Sequence, residues 1–512
     1  MMIHSFFVTS SSIGVASLLF IFLSIVLTFV QHISSPLGKI PGPLGARISR
    51  LWYLKHVVGG NFHRRNIELH RLYGPVVRIA PGQYSIDDPE AVKVIYGIGK
   101  SFEKASELSN TDKIIKASWY DASSDPTAAW RDLFTDRSAL RHAAYRRQVA
   151  NLYSATSLRN MEGDVDEIVQ VLLDSMSQNS KAKKNIDLQF WMQCFAFDAI
   201  SRLTLGKSLG LLPDGRDRNG LFKSLHDYLK YCAAVGIFSE LHRLCWWILT
   251  KLPQSGLVHV ANFTAQQISQ RSKYHDEKGV EWSDDFLSKA TRLNQLDPNR
   301  FPHSAVFTTC ITNIGAGSDT TSISLSGILN GLMHNPSATS KLRREIDEKL
   351  AELNHPPLIP FAETQKMPYL QACIKEGLRV HPATGLPLAR VVPEGGTTIS
   401  GQFFPAGTIV GINTWVAHMN QQVFGPDAEA FRPERWLESS KQSLSAMEGY
   451  WMPFGAGSRT CIGKNISLLE INKLIPAFIR RFDLLPQGAE SMSHENYWLV
   501  KQVDMYCQVA ER

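Results

Sequence analysis

Three kinds of apolar pattern run along this chain, and each predicts a different element. The uncharged run IGVASLLFIFLSIVLTFV, Ile13 to Val30, is long enough for a helix that crosses a hydrocarbon core. It is also long for the apolar part of a cleaved leader, and no A-x-A site follows. Short β-branched stretches, Val76 to Ile79 and Gln83 to Ile86 around Pro81-Gly82, predict two strands and a turn. A helix capped by Asp87 or Asp88, with Pro89 at its first position, is expected next. From there to about residue 380, apolar residues recur every three or four positions, as in VDEIVQVLLDSMSQ and FWMQCFAFDAISRLTL, which predicts mostly helix. Residues 390–415 return to β-branched residues broken by Pro and Gly, hence short strands. The expected fold class is mainly α with small β-sheets.

Two of the predicted helices carry candidate chemistry. Between Pro302 and Pro336 about thirty residues are available, roughly 45 Å at 1.5 Å per residue, enough to cross a whole domain. At its centre lies IGAGSDTTS, Ile314 to Ser322, a run of poor helix propensity. Gly315 and Gly317 permit a kink or the close approach of a ligand, while Asp319 and Thr320 offer a proton carrier and a donor. A plain helix break with Asp319 as an N-cap is the competing reading. The second helix, Pro368 to Val380, places Glu376 and Arg379 three residues apart on one face. By itself such a pair is an ordinary solvated ion pair.

Composition narrows the class. The chain has 512 residues, 44% hydrophobic and 20% charged, a balance that suits an ordered protein with a large core. No repeat or long linker interrupts it after residue 45, so one large domain is expected. The net charge of +7 suits an anionic membrane surface or an acidic partner, and no Arg-rich cluster interleaved with aromatics points to nucleic acid. Lys39, Arg47, Arg50 and Lys55 follow the apolar run and no Lys or Arg precedes it, which orients the body toward the cytosol. The proline-rich SSPLGKIPGPLGA reads as a joint. Residues 1–34 are expected to form a membrane anchor, 35–50 a hinge and 51–512 the catalytic body. GIGKSF, Gly97 to Phe102, lacks the earlier glycine of a phosphate loop, since Val94 stands there.

Seven scattered cysteines without CxxC spacing argue for free thiols in a reducing compartment and against a zinc site. One differs from the rest. In FGAGSRTCIG, Phe454 to Gly463, Cys461 sits among three glycines and Arg459, just ahead of a helix whose apolar stripe is Ile466, Leu469, Leu474, Phe478 and Phe482. The unpaired amides of a helix start and the Arg459 charge would favour a thiolate. A nucleophile, a redox sensor and a metal ligand are all open to it. A lone thiolate serves best a metal whose other ligands come from a cofactor, as with haem iron.

FGAGSRTCIG resembles the haem-binding signature of the cytochrome P450 family, Phe-x-x-Gly-x-Arg-x-Cys-x-Gly, at every fixed position. AGSDTT resembles that family's oxygen-activation motif, EGLR its Glu-x-x-Arg pair and FRPERW, Phe431 to Trp436, its meander signature, all in order. The resemblance implies a single large haem domain of that fold behind an N-terminal transmembrane helix. It implies Cys461 as the axial iron ligand of haem b, with Phe454 and Gly463 beside it. Glu376, Arg379 and Arg435 become a structural network that holds the cysteine loop. Thr320 would hydrogen-bond bound oxygen or its water, and Asp319 would help deliver protons. Arg146, Arg390 and Arg459 become propionate partners, together with His142, which stands where the family commonly has Trp; Arg390 could equally be a surface strand residue.

The implied activity is monooxygenation: one atom of O2 enters a lipophilic small molecule and the other leaves as water, with electrons from NADPH. They would arrive through a separate NADPH-cytochrome P450 reductase, with Lys464 a plausible contact, or through cytochrome b5. KIPGP, LPLARVVPEGG and YWMPFGAGSRTCIGKN are similar to fungal microsomal members such as pisatin demethylases and secondary-metabolite tailoring enzymes. A single-pass protein of the endoplasmic reticulum with its body in the cytosol is therefore implied. Phe307, Ala316 and Leu386 are the expected substrate contacts. The alternatives are a haem-thiolate isomerase or dehydratase without a reductase, and a non-catalytic membrane haem protein.

Overall fold

The computed structural model describes residues 36–97, 115–128, 130–251, 256–278, 284–487 and 492–512. The apolar run at Ile13 to Val30 and most of GIGKSF lie outside these. The predominance of helix follows the three- and four-residue periodicity, and the predicted helix Pro368–Val380 has those bounds. The expected strands form at Val76–Ala80 and Gln83–Ile86. They open a five-stranded sheet that continues through Ile409–Gly411 and Arg390–Val391 to Ile115–Lys116. In that sheet Lys116 is the cross-strand partner of Arg390, which sets two cations side by side. A second, two-stranded hairpin pairs Ser493–Tyr497 with Leu499–Val503.

A helix of 31 residues, His303–Met333, runs through the core. The helix runs uninterrupted through the Gly-Thr run, so the alternative of a helix break there does not hold. Instead the hydroxyls of Ser318, Thr320 and Ser324 donate to the carbonyls of Ile314, Ala316 and Thr320 at 2.7, 2.7 and 2.9 Å, so the polar side chains bond back along the helix. Packing overrides propensity: a Cβ at Gly317 would lie 2.8 Å from Cγ1 of Ile200, on the helix Leu188–Leu205 that packs along this one. The proline-rich segment is docked rather than free, with Leu37 and Ile40 buried beside Tyr84 and Val410.

The helix that follows the cysteine loop, Lys464–Arg481, buries Glu470 with neither carboxylate oxygen hydrogen-bonded among the described residues. The nearest favourable group is Thr321, whose hydroxyl is shared with Ser467 at 3.0 Å. Burial therefore pushes the Glu470 pKa well up. An acid with a raised folded-state pKa is destabilising once the unfolded chain ionises, above about pH 4.3, by roughly 1.4 kcal/mol per pH unit until the folded value is reached. Glu470→Gln is expected to gain stability over the native chain progressively from pH 5 to 8 in denaturant titrations. Parallel stability curves for the two proteins would refute this assignment.

Candidate active site

The cysteine loop is built by backbone geometry. The Cys461 amide donates to the Phe454 carbonyl at 2.9 Å, which closes the loop. Gly457 has φ +68°, and a Cβ there would sit 1.6 Å from the Tyr96 carbonyl oxygen; no other residue fits. Cys461 is exposed, whereas five of the other cysteines are buried and Cys245 is intermediate. Gly463 caps Lys464–Arg481 without crowding the sulfur, since a Cβ there would lie 3.9 Å from Sγ. Surrounding protein raises the Cys461 pKa by desolvation, while the Gly463 and Lys464 amides and the charges of Arg146 and Lys464 act against that rise. The expectation that Arg459 supplies the nearby charge is corrected. Its guanidinium donates to the Asp136 carbonyl at 2.6 Å, and Arg146, bonded to the Thr460 carbonyl at 2.8 Å, takes that place. Lys464 lies over the Phe454 ring, 5.6 Å from its centroid.

Beneath the loop, Glu376 and Arg379 are 0% exposed and Arg435 is 1%, so the pair is no solvated surface bridge. Arg379 clasps both Glu376 oxygens at 2.9 and 2.8 Å. Arg435 Nε, Trp436 Nε1 and the Arg432 amide add bonds at 3.0, 2.9 and 2.9 Å. Burial works to raise the Glu376 pKa, but the Arg379 hydrogen bonds and the charges of Arg379 and Arg435 prevail and hold it below the usual range. Arg379 also donates to the His418 carbonyl at 2.8 Å. The His418 ring then spans the gap, with Nδ1 on the Arg379 carbonyl at 3.0 Å and Nε2 accepting from the Met452 amide at 2.9 Å. Trp451 Nε1 bonds the Lys375 carbonyl at 3.1 Å. The ionic network thus reaches the strand of chain that enters the loop.

A cluster of cations lies beside the loop. Arg390, 6% exposed, bonds only Tyr120 and backbone carbonyls of Leu388 and Ala389 among the described residues. Lys116 is buried against the Phe134 carbonyl and the Tyr120 and Phe134 rings. Burial, then the charges of Arg390 and Arg459, push its pKa well down. Burial, then the Arg390 and Arg146 charges, lower Arg459 to about 10 against the opposing pull of Asp136 and Tyr120. Burial and the Arg459, Lys116 and Arg146 charges take the buried His142 to about 3, which keeps it neutral. These groups repel one another, and no carboxylate among the described residues bonds Lys116, Arg390, Arg459 or Arg146. Such an arrangement is complementary to a ligand with anionic arms.

On the central helix Ala316 is exposed although its neighbours Ile314 and Ser318 are buried, and a Cβ at Gly315 would meet nothing within 4 Å. Phe307 and Thr320 are half-buried. Asp319 turns to the other side: it is 4% exposed and accepts from Gln193 Nε2 at 2.5 Å. Leu386, an expected substrate contact, is 1% exposed and belongs to the core cluster of Ile323, Ala383 and Trp498. Leu388, half-buried and 3.8 Å from a Cβ position at Gly455, faces the cysteine loop instead.

Lys116, His418 and Gln193 went unnoticed in the sequence. Lys116 and His418 lie in no motif, and Gln193 sits in an apolar helix where only its partner on another element gives it a role.

An exposed thiol, an open helix face and converging cations without carboxylate partners among the described residues together fit a flat macrocycle with one protein ligand and two carboxylate arms. The sequence comparisons agree. The cytochrome P450 family profile matches residues 41–506. Pisatin demethylase of Fusarium vanettenii is 39% identical over 91% of this chain and 89% of its own. Cytochrome P450 monooxygenase cicH of Emericella nidulans is 32% identical over 96% of this chain and 98% of its own. Cytochrome P450 monooxygenase mpaDE of Penicillium roqueforti is 33% identical over 93% of this chain and 55% of its own.

Proposed function

Since this chain belongs to the cytochrome P450 family of haem monooxygenases, we propose that it oxidises a lipophilic small molecule of fungal secondary metabolism or detoxification, using electrons that an NADPH-dependent reductase supplies. The observation that carries the proposal is the exposed Cys461 thiol beside cations without carboxylate partners among the described residues. Haem iron, when bound, supplies the activation of oxygen, and a thiolate ligand favours O–O cleavage. The chain's own residues do the rest. Cys461 ligates; Arg146, Arg390, Arg459 and Lys116 neutralise the propionates, and neutral His142 adds a hydrogen-bond donor. Glu376, Arg379 and Arg435 keep the loop in place through His418 and Met452. Thr320, whose hydroxyl is held on the Ala316 carbonyl, borders the exposed Ala316 face, where substrate and oxygen would meet. Asp319, whose pKa burial raises, lies next to it in the chain as the candidate proton carrier. Phe307, Ala316 and Leu388 offer the substrate an apolar surface.

The names of the relatives support a small-molecule substrate: one is a pisatin demethylase and others are cytochrome P450 monooxygenases of filamentous fungi. The test is turnover of candidate lipophilic precursors by purified protein with reductase and NADPH under labelled O2. Incorporation of one labelled atom per product is expected. Product formed without NADPH or O2 would replace the proposal with an isomerase or dehydratase.

We further propose that the body rests on a membrane surface. Leu44, Leu51, Leu244 and Trp247 are all exposed, and Arg50 ties their two segments together through the Ile237 carbonyl at 2.9 Å. Leu221–Leu249 is long and apolar enough to span a bilayer, but it bends at Phe238 (φ −120°, ψ 55°), which favours lying in the interface over crossing it. Leu244→Glu with Trp247→Glu is expected to weaken binding to anionic vesicles roughly tenfold or more. Unchanged co-sedimentation would remove this face from the contact.

A further inference from the structure

A cavity of about 480 Å³ lies between the helix Phe62–Tyr73, the end of the central helix and the C-terminal hairpin. Small-molecule sites span about 300–1,000 Å³. None of the residues assigned above to the haem or its substrate lines it. Helical spacing builds two of its walls. Arg64, Ile67, Glu68 and Arg71 fall at i, i+3, i+4 and i+7 on one helix face, and Gly327, Asn330, Gly331 and His334 repeat that spacing at the end of the central helix. Gly327 and Gly331 let this helix end come close to its neighbours, since a Cβ would lie 2.9 Å from Cβ of His381 and 2.4 Å from Cδ2 of Phe431. Trp415, Met419, Phe431 and Met492 give the remaining wall an aromatic and thioether surface, which adapts to flat apolar bodies.

The charges at this cavity do not cancel. Glu429 is taken by Arg71, and Glu68 by Arg65 at 2.7 Å. Arg64 is exposed and has no carboxylate partner among the described residues; its Nη2 donates to His494 Nδ1 at 2.9 Å. The neutral His494 ring therefore carries its hydrogen on Nε2, and that atom is buried without an acceptor among the described residues. His63, with its ring centroid 5.7 Å from that of His494, is 1% exposed and has neither ring nitrogen bonded among them. Burial lowers the pKa values of His63, His381 and His494 to about 3, 4 and 2, and the Arg64 charge adds to the lowering in all three. A cation and unanswered donors thus gather at one end of an apolar cavity.

We propose that this cavity is a second ligand site, separate from the haem site, for an organic carboxylate with a flat apolar body: Arg64 takes the carboxylate, and the wall of Trp415, Phe431 and Met419 takes the body. Arg64 keeps unused N–H groups in the planar fork that fits a carboxylate. A neutral ligand of the same shape leaves that cation unanswered, and a cationic one is repelled by it. An occupant touches the helix that carries Thr320 and, at Val380 and His381, the end of the helix that carries Glu376 and Arg379. Occupancy does not depend on which molecule the haem oxidises.

The test is calorimetric titration of the haem-loaded full chain with 2-naphthoate, with the haem absorption band recorded in parallel and 2-naphthylmethanol as the neutral counterpart. Binding of one naphthoate per chain that leaves the band in place is expected. Arg64→Gln should weaken it about tenfold or more, and the alcohol should bind more weakly than the carboxylate by a similar factor. Ile67→Glu adds negative charge to the wall without touching Arg64, and should also weaken binding about tenfold or more; it keeps a second readout where one change disturbs folding. Equal affinity in Arg64→Gln, or equal affinity for the alcohol, overturns the site, as does an absence of saturable binding up to about 1 mM. Binding that shifts the haem band and survives both substitutions assigns the naphthoate to the haem pocket and overturns the second site as well.

Discussion

Cys461→Ala is expected to abolish both oxygen insertion and the thiolate-type spectrum of the reduced carbon monoxide adduct. The argument is one of supply. Among the described residues no group of three or more His, Cys, Asp or Glu could hold a metal, and the other six cysteines are buried or half-buried elsewhere. Their thiols are poor substitutes: burial pushes Cys232 up to about 12, and burial with the Asp187 charge does the same to Cys507. Burial raises the Cys461 pKa as well, but the Gly463 and Lys464 amides and two cations act against that rise, and a bound metal deprotonates a coordinating thiol outright. Cys461→Ser should keep the loop, since neither residue's side chain contributes to the Cys461–Phe454 backbone bond, and should still lose the thiolate spectrum. A native spectrum from either variant would remove Cys461 as the ligand.

Glu376→Gln is expected to cost about 3–5 kcal/mol, because it leaves the Arg379 and Arg435 charges buried without their common partner. The loss should reach the active site, since Arg379, His418 and Met452 form one chain of bonds to the cysteine loop. Lower denaturation midpoints and weaker haem retention are therefore expected together. The pH dependence has a definite sign. The folded pKa of Glu376 is depressed, so its stabilisation is complete above the unfolded value of about 4.3 and disappears as pH falls through the folded one. The native chain should lose this contribution only below about pH 4.3, and Glu376→Gln should lack that acid step. A cost under about 1 kcal/mol would put the network on a par with exposed ion pairs.

Much of this site was legible before folding because its chemistry is local. Cys461 and its glycines are consecutive, Glu376 and Arg379 share one turn, and Asp319 and Thr320 are neighbours. What the linear pattern hid depends on distant partners. The Gly-Thr run has poor helix propensity, yet the helix continues because Ile200 fills the space at Gly317 and the hydroxyls bond their own backbone. Leu386, an expected substrate contact, lies in the core cluster that holds the hairpin residue Trp498. Arg459, two residues before the cysteine, turns to Asp136, while Arg146, more than three hundred positions away, reaches the loop.

The sequence by itself determined the helical class, the cysteine loop with its glycines, the Glu-x-x-Arg pair and the apolar N-terminal run, since each is a matter of residue type at fixed short spacing. Tertiary structure alone decided which cations converge and which way each side chain points. It set Lys116 opposite Arg390 by strand register, and it turned Asp319 from the open helix face toward Gln193 and Lys501. Charges and carboxylates act over a few ångströms, and distances that short between residues far apart in the chain exist only once the chain has folded.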